Sequence, residues 1–369
     1  MYSIDNDFRD THAFISLDAY RQNLRYFKEK VYPTKIMAVI KADGYGHGAV
    51  ELARAAESEN VEYLVVAFLS EALELRKNGI KTPILILNYF KPEYVHLLTE
   101  NNLTATIYSS YQYNGLMKHL KDKPLKVHAI IDTGMSRVGF NHVDAVEKIQ
   151  ELLSDKRLKV EGLYTHFSSA DEDDLSFTNL QIERFKTVAK HFEAIPYKHV
   201  ANSAGAMFCE ENLLDFVRIG IASYGLDPKN KKREKELEPV LSWETTVSMV
   251  KCISKGTSVS YGRTFTADKI MKVATIPVGY ADGYNRLLSN QGEVLIKGKR
   301  CRILGRVCMD QFVVDVDHIE QIEPGERVIL LGKMGSEEIS AEEMAQRIQT
   351  INYEIICAIS KRVVRKYKD

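Results

Sequence analysis

A lysine, Lys41, follows directly on the apolar run IMAVI (36–40) and opens the loop ADGYGHG (42–48). An amine at the end of a buried strand sits on an apolar rim, where lost hydration lowers its pKa and leaves a nucleophile. Three nearby glycines let the backbone approach a ligand and offer N–H groups to an anion, and Tyr45 adds a hydroxyl donor. Alone, Lys41 reads as an exposed strand-end lysine. A plain turn explains the glycines, but not lysine, tyrosine and glycines together. Further on, Asp132 ends the run VHAIID with Arg137 after it, and His166 lies near the end of VEGLYTHF. Asn202 and Ser203 come at the end of KHVAN, with Ser203 read as a helix N-cap, and Arg218 lies within FVRIG just ahead of Gly220 and Ile221. A guanidinium inside a strand buried on both faces is costly unless paired or hydrogen-bonded. Arg218 is therefore either half of a barrel-stabilising ion pair or a functional cation. A cofactor with a ring nitrogen would give it a reason.

These residues need elements to hold them. Between Lys35 and Gly220 run eight short apolar segments, IMAVI, EYLVVAF, PILIL, LTATI, VHAIID, VEGLYTHF, KHVAN and FVRIG. Such near-continuous apolar runs suit strands of a parallel sheet buried on both faces. Helical patterns separate them. In SEALELRKNG the serine is expected as N-cap and Gly79 as C-cap, and in VDAVEKIQELLSD the stripe Val143, Val146, Ile149, Gln150 and Leu153 is expected to face the core. Eight strands with intervening helices predict a (β/α)8 TIM-type barrel, whose functional groups gather at the C-terminal strand ends. The open doubly wound rival would carry a G-x-G-x-x-G loop, which is missing here. After the charged run DPKNKKREKELEP (227–239), read as an exposed connection, short β-rich runs broken by Gly and Pro take over. The expected organisation is a barrel over 1–235 and a mostly antiparallel β-domain over 236–369. Roughly the first ten residues are expected to pack on the second domain.

Composition excludes several classes. Fifty basic and fifty acidic side chains cancel, which argues against nucleic acid or an anionic membrane as partner. Five scattered cysteines suggest neither a zinc site nor a disulfide framework, so no metal is expected. No apolar stretch resembles a leader peptide or a bilayer span, and the expected location is cytoplasmic. Quieter residues get quieter readings: His47 caps or packs its loop, Trp243 packs at the domain boundary, Cys308 is buried beside Met309, and KRVVRKYKD is a solvated terminal helix or strand end.

The blocks VIKADGYGHG, DTGMSRVGF, THFSSAD, HVANSAG, VRIGIASYG, VSYGRTF, PVGYADGY, GRVCMDQ and TINYEI stand in this order. Together they resemble the alanine racemase family, enzymes of fold type III dependent on pyridoxal 5'-phosphate (PLP). The resemblance implies that Lys41 carries PLP and acts as one base, and that Tyr261 of a partner subunit is the other. It implies that Tyr45, Ser203, Gly220, Ile221 and Tyr353 bind the phosphate. Arg218 would meet the pyridine nitrogen, supported by His166. Arg137 and the partner's Met309 backbone would hold the substrate carboxylate. Tyr280, Arg286, Arg306 and Ile351, together with Tyr353 and the loop near Asp171, would line the entrance. The implied activity is the interconversion of L- and D-alanine in a homodimer with shared active sites, supplying D-alanine for peptidoglycan. One position departs: where the family often has a lysine, sometimes carbamylated, this chain has Ile130, so no carbamate is expected beside Arg137.

Removing a proton from one face of a planar carbanion and returning it to the other calls for two groups on opposite sides. Free lysine and tyrosine titrate near about 10, so both must be perturbed to act near neutrality. Four rivals stand beside this reading: a racemase of serine or broader range, a fold-type III decarboxylase, a PLP-binding regulator, and a cofactor-free Schiff-base aldolase. The blocks around Tyr261 and Met309 disfavour the decarboxylase, and the presence of the second domain disfavours the regulator.

Overall fold

A computed structural model describes residues 8–121, 123–209, 213–231 and 233–369. The chain divides into two compact units. One comprises Arg21–Gly44 and Ala49–Ser223; the other comprises residues 8–20 of the described chain, Tyr45–Gly48 and Tyr224–Asp369.

Strand β1 (His12–Ser16) belongs to the second unit. The first unit is a ring of β2 (Lys35–Val39), β3 (Tyr63–Val66), β4 (Ile84–Ile86), β5 (Leu103–Ile107), β6 (Leu125–Asp132), β8 (Leu158–Tyr164), β9 (Tyr197–His199) and β10 (Phe216–Ile219), with a short β7 (Phe140–Asn141) beside β6. Neighbours pair in the order β5-β4-β3-β2-β10-β9-β8-β6, and β5 pairs with β6 to close the ring. Every pairing is parallel. The expected barrel is therefore present, and each expected strand lies on one of the eight. The runs β3, β4, β5 and β10 are buried at every position, as strands covered on both faces must be.

Local readings fared less evenly. Gly79 ends its helix at φ +86°, as expected of a C-terminal glycine, but the helix Leu69–Lys77 starts from Phe68 and not from the serine. Just ahead of the helix, the Glu71 carboxylate accepts from Ala67 N at 2.7 Å and from Phe68 N at 3.1 Å. The helix Ala145–Ser154 buries Ala145, Ile149 and Leu152, whereas Val143 and Leu153 are exposed. Val143 precedes the first turn, so the expected stripe was phased on a residue outside the helix.

The second unit carries β11 (Leu241–Thr246), β12 (Met249–Ile253), β13 (Ser258–Val259), β14 (Phe265–Thr266), β15 (Met271–Ile276), β16 (Glu293–Ile296), β17 (Lys299–Leu304), β18 (Phe312–Asp315), β19 (Arg327–Met334), β20 (Glu337–Ile339) and β21 (Val364–Lys368). The main path runs β12-β15-β18-β17-β16-β19-β11-β1-β21, antiparallel except that β21 lies parallel to β1. The basic tail is thus an edge strand. Trp243 is buried 5.8 Å from Tyr284, which stacks on Phe312 at 4.7 Å, so this tryptophan is core of the β-unit. The charged connection is not wholly exposed: Leu237 and Asp227 are buried, and Arg233 pairs with Glu338 at 2.8 Å. Apolar Leu237 and the Asp227 carboxylate, which accepts from Lys229 N and Lys231 N, tie it down. Among the described residues no helix is long and apolar enough to cross a membrane.

Candidate active site

In the barrel unit, Lys41 follows β2 and is half-buried. The backbone behind it takes a left-handed turn, with φ/ψ of 53/50° at Ala42, 53/48° at Asp43 and 60/44° at Gly44. Left-handed geometry costs a residue with a Cβ about 1–2 kcal/mol, so side chains have to hold the turn. Asp43 Oδ1 accepts from Ala49 N at 2.9 Å, and Glu71 Oε1 accepts from Ala42 N at 2.7 Å.

On β10, the strand paired with β2, Arg218 is 3 % exposed. Its Nη1 donates to His199 Nδ1 at 2.7 Å, and its Nη2 donates to the carbonyls of Thr165 at 2.8 Å and Val200 at 3.1 Å. His166 Nδ1 lies 3.2 Å from Nη2, and the guanidinium sits 5.2 Å from the Tyr164 ring centre. All these partners are neutral. The ion pair offered as the alternative reading is missing among the described residues; carbonyls and imidazoles solvate the cation instead. Burial brings Arg218 down to about 10, which still leaves it charged at neutral pH.

An arginine can only donate, so His199 Nδ1 accepts and its proton sits on Nε2. That proton goes to His128 Nδ1 at 2.9 Å, which places the His128 proton on Nε2, a buried atom without an acceptor among the described residues. Burial first, then the Arg218 charge, lowers His128 to about 3, and the same two causes hold His199 well below its usual value. Gly162 makes the arrangement fit, because a Cβ there would lie 2.5 Å from the His128 ring.

His166 is also held neutral, by burial and then by Arg218, Arg137 and Lys41 in that order. Three cations thus act on one imidazole, an arrangement suited to anions. Arg137 stands exposed on the loop after β6, shaped by Asp132 Oδ1, which accepts from Gly134 N and Ser136 N, each at 3.0 Å. Ile130 is buried on β6, and no described residue bonds the Arg137 side chain. Asn202, not Ser203, caps the helix Ser203–Phe208, accepting from Gly205 N at 2.9 Å. The Ser203 hydroxyl turns instead to the next loop and accepts from Gly220 N at 2.9 Å. Ser203, Gly220 and Ile221 are therefore joined where the loops after β9 and β10 meet, a common place for phosphate in such barrels.

In the β-unit, Tyr45 is buried, with its ring 6.0 Å from half-buried Tyr353 and 4.8 Å from Tyr224. Burial, then Tyr353, pushes its phenol well above the usual range. His47 packs on Tyr224 and bonds the Tyr45 carbonyl, a structural part as expected. Tyr261 is 73 % exposed at the tip of the β13–β14 hairpin. Ser260 Oγ ties this tip to the Arg306 carbonyl at 2.7 Å and to Cys308 Sγ at 3.3 Å, so Cys308 is half-buried, not buried. Asn290 links Thr264 to Gly305 N, bracing the same hairpin. Tyr280 N bonds the Cys308 carbonyl and Ala281 N bonds the Met309 carbonyl. Tyr261, Tyr280, Arg306 and Met309 thus share one loop cluster. Arg286 is exposed on the turn Arg286–Leu288, Ile351 is exposed ahead of the helix Asn352–Cys357, and Asp171 is exposed in the barrel unit. Among the described residues no group of three or more His, Cys, Asp or Glu could hold a metal ion.

Sequence reasoning passed over His199, Tyr164, Glu71 and Asn290. His199 lies in a quoted block and Asn290 between two of them, but nothing in their spacing shows that a guanidinium or a hairpin depends on them.

A closed barrel with an amine behind its first strand and a buried cation solvated by neutral groups, followed by a mostly β unit that presents a phenol, defines a class: two-unit barrel proteins with chemical groups at the strand ends. The family model for the alanine racemase N-terminal domain matches residues 15–228, and that for the C-terminal domain matches 240–367. An alanine racemase of Carboxydothermus hydrogenoformans is 47% identical, covering 97% of this chain and 100% of its own. Alanine racemase 1 of Bacillus subtilis is 42% identical over 98% of this chain and 93% of its own. The solved E. faecalis alanine racemase superposes with a TM-score of 0.93 at 38% identity over 98% of both chains. The Bacillus anthracis alanine racemase, solved with bound L-Ala-P, gives 0.91 at 37% identity over 98% of this chain and 96% of its own. The chain belongs to the alanine racemase family.

Proposed function

We propose that this protein interconverts L- and D-alanine with PLP held on Lys41, acting in the cytoplasm as a homodimer that makes D-alanine for peptidoglycan. The observation that carries the reading is the buried Arg218 cation, which among the described residues meets His199, His166 and the carbonyls of Thr165 and Val200 and no carboxylate. Such unneutralised positive charge fits a phosphorylated cofactor and a substrate carboxylate. When bound, PLP would withdraw electrons from the substrate's α-carbon and so loosen its proton.

The remaining roles belong to this chain's residues. The Lys41 amine takes or returns a proton on one face, and Tyr261 of a second copy does so on the other. Arg218 presents N–H donors to the pyridine nitrogen. Because an arginine only donates, Arg218 would favour an unprotonated ring nitrogen and so would limit side reactions such as transamination. Ser203, the backbone at Gly220 and Ile221, Tyr45 and Tyr353 bind the phosphate. Arg137 and the Met309 backbone of the second copy hold the carboxylate, while Tyr280, Arg286, Arg306 and Ile351 line the entrance.

Incubating the protein with L-alanine in deuterated water tests this. D-Alanine should appear with deuterium at the α-carbon. D-Alanine without deuterium, or an amine in place of D-alanine, would refute it.

A further inference from the structure

Glu71 joins two of the barrel's loops through backbone bonds alone. Its Oε1 accepts from Ala42 N at 2.7 Å, the first N–H after Lys41. Its Oε2 accepts from Ala67 N at 2.7 Å and Phe68 N at 3.1 Å, in the loop that follows β3. A single carboxylate thus satisfies three donors in two segments that are 25 residues or more apart in sequence. The segment it grips is the strained one: Ala42, Asp43 and Gly44 all lie in the left-handed region. No local bond takes the Ala42 N–H, whereas Gly44 N bonds the Ile40 carbonyl and Asp43 bonds Ala49. The Glu71 carboxylate therefore ties the residue after Lys41 to the loop that follows β3.

We infer that Glu71 is a positioning residue for Lys41: it pins the left-handed turn and so sets where the amine stands on the barrel rim. The inference rests on the proposed role of Lys41 and goes beyond it. Glu57 supplies an internal control. It performs the same local task at the opposite face of the barrel, its Oε1 accepting from Lys81 N at 2.6 Å, Thr82 N at 2.7 Å and Thr82 Oγ1 at 2.9 Å ahead of β4. Groups at that face act on stability, whereas those at the C-terminal strand ends act on chemistry. A merely structural glutamate at position 71 would behave like Glu57.

The full-length protein is compared with Glu71→Gln, Glu71→Ala and Glu57→Gln, with and without PLP. Two readouts are taken: deuterium exchange of the peptide covering 40–48, and PLP affinity from the visible absorbance of covalently held cofactor. Glu71→Ala should lose exchange protection at Ala42 and weaken PLP binding about tenfold, since small misplacements at a reacting group are costly. Glu71→Gln, which keeps one acceptor oxygen, should fall between; it also carries the test should the alanine variant not fold. Glu57→Gln should lower the melting temperature and leave both readouts at wild type. The inference is overturned if Glu71→Gln and Glu71→Ala match wild type in exchange and affinity, or if Glu57→Gln weakens PLP binding equally. A wild-type chain that takes up no PLP on Lys41 would sink the parent reading by itself, while the cofactor-free exchange still decides whether Glu71 holds the turn.

Discussion

The two units treat their chemical groups in opposite ways. In the barrel, buried Arg218, His199 and His128 form one hydrogen-bonded chain that also reaches strand-end carbonyls, and buried Ser203 accepts from Gly220 N. In the β-unit, Tyr261, Met309, Ile351 and Tyr280 are 73 %, 52 %, 52 % and 42 % exposed. One set is complete in itself. The other consists of large apolar and aromatic side chains held out by braced loops, as surfaces that meet a partner usually are. Substitutions in the barrel set should therefore disturb fold and chemistry together, and those in the β-unit set chemistry alone.

The largest effect should come from Lys41→Ala. Without the amine, racemisation should fall by at least about 10³-fold and no PLP should remain after gel filtration in borohydride-treated samples. Tyr261→Phe should cost about 10²–10⁴-fold with the urea midpoint unmoved, because its hydroxyl supports nothing in the fold. A shifted midpoint would break the comparison. Mixing these two inactive variants sharpens it. If each site takes Tyr261 from a second copy, random exchange of subunits should restore roughly a quarter of wild-type activity, and no recovery would show that each chain works alone.

Arg218→Gln should lower both activity and stability. Losing the donors to Thr165 and Val200 leaves buried carbonyls unsatisfied, at a cost of about 1–3 kcal/mol each. The smallest effect is a slope. An unfolded histidine titrates near 6.5, whereas His128 in the fold titrates at about 3, so the unfolded chain binds more protons between those values. This contribution is intact above about pH 6.5 and drains away as the pH falls toward 3, by up to about 1.4 kcal/mol per pH unit. His128→Gln should flatten the acid limb of a stability–pH curve measured by urea unfolding.

Much of this was legible in the chain. The eight barrel strands announce themselves because strands buried on both faces need apolar residues at every position, as in LTATI and FVRI. Lys41 stands out because a tyrosine and three glycines follow it directly after such a run. Phasing is less legible. Periodicity puts Val143 in a stripe that it in fact precedes, and the serine of SEALELRK at a cap that it does not form, since a helix start depends on which backbone N–H groups find a partner. Ser203 was likewise read as a cap, because sequence cannot show that its hydroxyl has a better use 17 residues further on.

By itself, then, the sequence determined the order of strands and helices, the change of texture after residue 239, and which side chains stand at strand ends. Those are consequences of local pattern and chain order. Tertiary packing within each unit decided the rest: that Arg218 has only neutral partners, that His199 and His128 hold fixed protons, that Glu71 reaches the turn behind Lys41, and that Tyr261 is exposed. Each depends on groups tens of residues apart being brought within about 3 Å, a distance at which hydrogen bonds form and about which local sequence carries no signal.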